Sequence, residues 1–121
     1  MPLYICICPD VQGSLDKRRE ARAEHLALGQ KDRAEGRTVF GRAFIDDSVS
    51  HHDDRSPPEV PLGGLSSGTK GSTMIYRYQT IEQAWSRLRA DPYWIAGVWD
   101  KDKTTINELA PGPNDDTIRV M

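Results

Sequence analysis

The chain opens on Leu3 to Cys8 (Leu-Tyr-Ile-Cys-Ile-Cys), a stretch that is almost continuously apolar and β-prone. A run of this kind, without polar alternation, predicts a strand buried in the middle of a sheet. Pro9-Asp10 and Gly13 punctuate its end, and Ser14 with Asp16 offers an N-cap and a negative charge for the positive end of a helix dipole. From Leu15 to about Glu35 the residues are the strong helix formers Ala, Leu, Glu, Arg, Lys and Gln, and Gly36 is a suitable stop. Ala21, Arg22, His25, Leu26, Leu28 and Gly29 fall near one stripe that is expected to face a sheet. Such a stripe is core by default, so its polar members Arg22 and His25 stand out.

Thr38 to Ile45 predicts a second strand, in which Gly41 marks a bulge or the close approach of another group. Asp46 to Lys70 is rich in Ser, Asp, Pro and Gly and reads as a long loop, of the kind that is functional or disordered in small domains. Gly71 to Tyr78 alternates around Met74, Tyr76 and Tyr78 as a third strand. Thr80 and Gln83 have capping-box spacing ahead of a second helix carrying Ile81, Ala84, Trp85 and Leu88. That helix should end near Ala90, because Pro92 disfavours helical geometry at Asp91. Asp91 to Gly97 reads as a turn or a short helical piece, Val98 to Leu109 as a fourth strand, and Ala110 to Met121 as a tail. The order β-α-β-β-α-β is the ferredoxin-like arrangement of the α+β class, an antiparallel four-stranded sheet with two helices on one face. One domain is expected over residues 1–109, with the loop 46–70 as an insertion and 110–121 as its tail. The uncovered sheet face predicts a homodimer.

Composition narrows the function classes. The chain has 121 residues, a length that suits one domain, and its 37% hydrophobic content is lowered by the polar stretch beginning at Asp46. With a formal net charge of -2 and no basic stripe, nucleic acid is not an expected partner. Lys17-Arg18-Arg19 is interleaved with Asp16 and Glu20 and reads as a solvated helix face. Cys6 and Cys8 share one strand face and read as small apolar residues rather than a disulfide or metal site. His51-His52-Asp53-Asp54 has the residue types of a metal site but not the geometry, since neighbours in sequence do not both point at one ion and no second His or Cys cluster completes the set. No apolar run approaches the ~20 residues of a membrane span, and the N-terminal run is too short for a signal peptide. The expectation is a cytoplasmic protein with no metal, no membrane association and, lacking a Gly-rich phosphate motif, no nucleotide cofactor.

Four stretches taken in order resemble the YCII-related family, relatives of the muconolactone isomerase type of dimeric α+β barrel. They are Tyr4-Ile5-Cys6-Ile7, Arg22-Ala23-Glu24-His25-Leu26 closed by Gly36, Gly71-Ser72-Thr73-Met74-Ile75, and Asp91-Pro92-Tyr93-Trp94-Ile95-Ala96-Gly97-Val98. The resemblance spans Met1 to about Glu108 apart from the long loop, which the family's members usually lack. It implies that His25 and Asp91 form an active-site pair. The chemistry agrees: an imidazole exchanges protons near neutral pH, and a carboxylate on one ring nitrogen fixes the tautomer and makes the other nitrogen more basic. Asp91 also suits the cap of the turn it begins.

Arg22, one helical turn before His25, is placed either to bind a substrate carboxylate or phenolate or to pair with Asp91 or another acid. Ser72 offers a hydroxyl to the site or a strand-start turn. Tyr4, Tyr93, Trp94 and Trp99 line an aromatic pocket or pack the core. The resemblance implies a cofactor-independent lyase or isomerase acting on a small cyclic or aromatic metabolite; the insertion, a departure from the family, reads as a lid over the cleft. The alternatives are a non-catalytic small-molecule-binding module and a dimerisation domain.

Overall fold

The computed structural model describes residues 1–46 and 68–120. The lid expectation and the His51-His52-Asp53-Asp54 run lie outside the described residues. The elements in order are β1 (Leu3–Pro9), α1 (Leu15–Ala34), β2 (Thr38–Ile45), β3 (Thr69–Arg77), α2 (Ile81–Arg89), α3 (Pro92–Ile95) and β4 (Thr105–Glu108). The sheet is antiparallel with strand order β2-β3-β1-β4, so the apolar first strand is central, as its composition predicts. This is the βαββαβ topology with α3 as a short addition.

Local chemistry explains most boundaries. Gly36 at φ 75 takes the left-handed conformation that ends α1. Thr80 and Gln83 form the full capping box, with Gln83 N–H donating to Thr80 Oγ1 at 3.2 Å and Thr80 N–H donating to Gln83 Oε1 at 3.2 Å. Gly41 sits beside a register shift between Thr38 and Phe40, and a Cβ there would stand 3.3 Å from Arg33 Nη2. Both readings of that glycine therefore apply.

Three expectations change. Ser14 makes no side-chain cap; its hydroxyl donates to the Val98 carbonyl at 3.3 Å and ties the start of α1 to the segment after α3. The fourth strand begins at Thr105 rather than Val98, because Asp100 to Lys103 folds into a turn whose Lys103 N–H returns to the Asp100 carbonyl at 3.1 Å. Trp99 keeps only a single bridge, to Asp10. Finally, Arg18 is not on a solvated face: it is 2% exposed, while Lys17 and Arg19 beside it are exposed.

The core fills the space between the sheet and α2 and α3. Tyr4, Cys6, Cys8, Met74, Tyr76 and Ile106 point up from the strands to meet Ala84, Leu88, Tyr93, Val98 and Trp99. The tail is fixed to the body by Arg77, which donates to the carbonyls of Gly36 at 2.9 Å, Asp115 at 2.7 Å and Ile118 at 2.7 Å. None of the helices among the described residues is long and apolar enough to cross a membrane.

Burial pushes the Cys6 thiol up to about 12 and raises Cys8 and the Tyr76 phenol as well. These groups are neutral in the folded protein and ionise more readily once unfolded. The stability they contribute is complete below the ordinary thiol value of ~8.5 and declines as pH rises above it. Ellman's reagent at pH 8 should leave both thiols unmodified in the native protein and modify both in guanidinium, and the unfolding free energy from urea melts should fall between pH 8 and 10. Rapid labelling of the native protein would contradict this packing.

Candidate active site

α1 crosses the sheet with an unusual inner face. The residues turned inward at helical spacing are Arg18, Ala21, Arg22, His25, Gly29 and Asp32, of which only Ala21 joins the hydrophobic core. Leu26, expected on this stripe, is 44% exposed. Polar side chains and a glycine do not close the gap as leucines do, and a cavity of about 160 Å³ lies between α1 and strands β2 and β3. Arg18, Arg22, His25, Ser72, Asp91 and Tyr93 line it, together with Thr38, Tyr76 and Arg87, and Gly41 and Ala43 form a low floor on β2.

His25 and Asp91 meet in this cavity, with Nδ1 at 2.7 Å from Asp91 Oδ1. Pro92 holds Asp91 in extended backbone (φ -67, ψ 136) and opens α3 at its first position, which turns the carboxylate back toward α1. Asp91 is fully buried and nonetheless satisfied: Oδ1 also accepts from the Tyr93 N–H at 2.9 Å, and Oδ2 accepts from Arg87 Nη1 at 3.1 Å. The cap role and the histidine-orienting role are thus carried by the same oxygen. Arg87 in turn donates through Nε to Asp32. Burial opposes the Arg87 charge, but Tyr76, Asp32 and Asp91 outweigh it and push its pKa further up.

The other nitrogen, Nε2, makes no hydrogen bond among the described residues. Tyr93 stacks on the His25 ring at 3.9 Å between centroids and 12° between planes, and Arg18 covers a Tyr93 face at 4.6 Å. Trp99 meets both rings edge-on, at 6.0 Å from His25 and 5.7 Å from Tyr93. The imidazole therefore has its plane fixed by packing and its Nδ1 engaged by a carboxylate.

Ser72 joins the same constellation. Its Oγ accepts from Arg18 Nη2 at 2.7 Å and from Trp99 Nε1 at 3.1 Å, and Arg18 is itself held by Asp10 at 2.9 and 3.0 Å. Guanidinium and indole are donors only, so both Ser72 lone pairs are engaged and its own hydrogen is left for an acceptor in the cavity. Arg22 forms no ion pair with Asp91, whose free oxygen belongs to Arg87. Among the described residues, buried Arg22 Nε, Thr38 Oγ1 and Tyr76 Oη have no hydrogen-bond partner, and Tyr93 Oη lies close to the Arg18 and Arg22 guanidiniums without a well-formed bond to either; all four residues line this cavity. Burial raises the Tyr93 phenol, and the neighbouring guanidiniums of Arg18 and Arg22 pull it the other way.

Two expected residues stand elsewhere. Tyr4 is a core residue under α2, and Trp94 packs against Trp85 at 6.5 Å with Lys101 over it, away from the cavity. Trp99 acts from behind, through Ser72. Conversely, Arg18, Asp32 and Arg87 belong to the site and were not singled out in the sequence. For Arg18 and Asp32 the signal is the α1 stripe through Ala21, which reaches Arg18 one turn earlier and Asp32 three turns later; Arg87, on α2, carries no such signal.

A family model of the YCII-related domain matches residues 2–104. The chain belongs to the YCII-related domain family. This YCII-related chain is 32% identical over 98 residues to protein YciI of Escherichia coli, a match covering 81% of this chain and 88% of that protein. It is 30% identical over 96 residues to an uncharacterized protein of Haemophilus influenzae, covering 79% and 86% of the two. It is also 26% identical over 103 residues to the aspercryptin biosynthesis cluster protein B of Emericella nidulans, covering 85% of this chain and 59% of that one. Among solved structures, the 5-chloro-2-hydroxyhydroquinone dehydrochlorinase of Burkholderia phenoliruptrix, in complex with 2,5-dihydroxybenzoquinone, shares the fold with a TM-score of 0.68. That match has 21% identity and covers 91% of this chain and 95% of that one.

Removing the Asp91 carboxylate leaves Arg87 Nη1 and the Tyr93 N–H without their acceptors at a fully buried position. Asp91→Ala should therefore destabilise the fold by about 3–5 kcal/mol in urea denaturation, and Asp91→Asn by less, since one amide oxygen still accepts. Equal stability of Asp91→Ala and wild type would remove Asp91 from its structural role.

Proposed function

We propose that this cavity is the active site of a small cofactor-independent lyase or isomerase acting on a cyclic or aromatic metabolite. The observation that carries the reading is the 2.7 Å contact from His25 Nδ1 to Asp91 Oδ1, in a residue that lines the cavity and whose Nε2 has no hydrogen bond among the described residues. In the reaction, Nε2 takes a proton from carbon beside a carbonyl while Asp91 stabilises the imidazolium that forms. A placed base of this kind contributes about 10²–10⁴-fold. The negative charge that develops on the carbonyl oxygen is received by Arg22 and by the Ser72 hydroxyl, whose hydrogen has no other acceptor. In an elimination or dehydration the leaving group departs with the electron pair and collects the proton from the imidazolium. In an isomerisation the proton returns to a different carbon.

The charge around the cavity favours an anionic or strongly polarised substrate. Arg18, Arg22, Arg33, Arg42 and Arg87 line it, whereas Asp91 is the lining carboxylate and Asp10 and Asp32 compensate two of the arginines from outside. A cavity of about 160 Å³ suits one substituted six-membered ring. The dehydrochlorinase with the shared fold is named for a substrate of that size and polarity and was solved with 2,5-dihydroxybenzoquinone, which supports the lyase class by analogy. We also propose a homodimer, with a second copy covering the sheet face that carries Ile5, Ile7 and Ile75 opposite the helices. Gel filtration with light scattering should give twice the monomer mass.

The deciding experiment is a thermal-shift screen of aromatic and lactone metabolites, followed by product analysis of the hits by NMR. On the substrate so found, His25→Ala should keep the native circular dichroism spectrum and lose turnover. Ser72→Ala should lower kcat by about 10²-fold. Full activity in both His25→Ala and Asp91→Asn would end the acid–base reading, and hits that bind without conversion would favour a binding module.

A further inference from the structure

Resting on the reading of His25 as the proton carrier, we propose that Arg87 is a positioning residue for the imidazole: anchored on Asp32, it holds one oxygen of Asp91 and thereby keeps the other on His25 Nδ1. The contacts form a closed circuit. His25 and Asp32 lie seven residues apart on α1, which is two helical turns or about 10.5 Å along the axis. His25 bonds Asp91 Oδ1 at 2.7 Å, Arg87 Nη1 bonds Asp91 Oδ2 at 3.1 Å, and Arg87 Nε closes the circuit on Asp32. Arg87 stands one turn before Asp91 at the end of α2, so its guanidinium bridges the two helices. Its side chain is 9% exposed, and those of Asp32 and Asp91 are 7% and 1%.

Arg87 does two things that packing alone does not. Its planar guanidinium holds Nε–H and Nη1–H in fixed, divergent directions, one toward each acid, so the anchor on Asp32 restrains Asp91 from rotating away from the ring. Its positive charge, 3.1 Å from Asp91 Oδ2, also favours the arrangement in which Nδ1–H donates and the carboxylate accepts. Both effects favour the tautomer with hydrogen on Nδ1 and a bare Nε2. Free histidine in water favours the opposite tautomer, so the state of the ring reports whether the circuit is intact. The other charged or titratable groups facing the ring or its partner Tyr93 are Arg18 and Arg22 of α1, and none of these contacts Asp91.

The test uses the full chain labelled with ¹⁵N-histidine, with the His25 ring signals assigned by their loss in His25→Gln. Long-range ¹H–¹⁵N spectra, recorded at a pH where the ring is neutral, read the tautomer directly. Wild type should show hydrogen on Nδ1. Arg87→Met should shift the tautomer ratio toward Nε2–H by about tenfold or more, the effect of losing one charge-assisted bond. Asp32→Asn should shift it the same way by less. Arg87→Lys should restore part of the wild-type ratio, since an ammonium supplies the charge but not the fork. Asp32→Asn keeps the inference testable should Arg87→Met not fold.

An unchanged tautomer in folded Arg87→Met, or in Asp32→Asn if the former does not fold, overturns the role of Arg87 and leaves the His25–Asp91 scheme standing. A wild-type ring already carrying its hydrogen on Nε2 overturns the parent scheme and this inference with it.

Discussion

A carboxylate taken out of water is tolerable only if donors surround it, and Asp91 collects them from three places in the chain. His25 comes from the first helix, Arg87 from the second and the Tyr93 N–H from the third. Arg87 and Tyr93 are near neighbours of Asp91 in the chain, but His25 is 66 residues away and reaches it only once α1 packs against α3. The packing of the helices and the assembly of the site are therefore one event. A change at this carboxylate reaches stability and chemistry together, because the oxygen that caps α3 is the oxygen that orients the imidazole.

The inner face of α1 follows the same logic. A helix ordinarily docks on a sheet through an apolar stripe, but here its side-chain anchors are polar: Arg18 to Asp10, His25 to Asp91 and Asp32 to Arg87. Ion pairs and polar contacts hold the helix at a distance that leucines would have closed, and the gap is the cavity. The hydrophobic work is done next door, where Tyr76, Leu88, Tyr93, Val98 and Trp99 are buried beneath α2 and α3. Trp99 and Tyr93 sit on the border between these regions. Trp99 is core on one side and, through its indole N–H, a donor to Ser72 on the other. The rigid half of the molecule thus sets the orientation of the polar half.

Where structure is dictated locally, the sequence was enough. The apolar run at Leu3, the capping box at Thr80 and Gln83, the stop at Gly36 and the break before Pro92 each have a cause within a few residues, and each element lies close to its expected place. His25 was visible as a polar residue on a stripe that should be apolar, and Asp91 as an acid before a proline in a segment resembling a known family. Arg18 was hidden because it stands among Asp16, Lys17, Arg19 and Glu20, and a run of mixed charge reads as solvent-facing whichever member turns inward. Asp32 and Arg87 were hidden for the same reason. Their partner is 55 residues away, and composition carries no trace of that pairing. The stripe itself contained the missing information, since Arg18, His25 and Asp32 recur every seven residues on the face that includes Ala21. Ser14 fails as a cap for a related reason: a tertiary acceptor, the Val98 carbonyl, took its hydroxyl.

Unpartnered polar atoms mark the part of the cavity that serves something other than stability. Leaving a buried donor or acceptor without a partner costs about 1–3 kcal/mol, so a fold accumulates few such atoms without reason. Among the described residues these atoms are Arg22 Nε, Thr38 Oγ1, Tyr76 Oη and Tyr93 Oη, from α1, β2, β3 and α3, and they have one thing in common, the cavity that His25 lines. Elsewhere the protein is economical: both Asp91 oxygens, the Ser72 lone pairs and the Arg18 fork are all engaged. The engaged groups hold the geometry, and the unengaged ones point to where a partner from outside the chain completes it. A ring bearing several oxygen atoms satisfies that demand better than a hydrocarbon, because each open position is a hydroxyl or an N–H and none is met by an apolar surface.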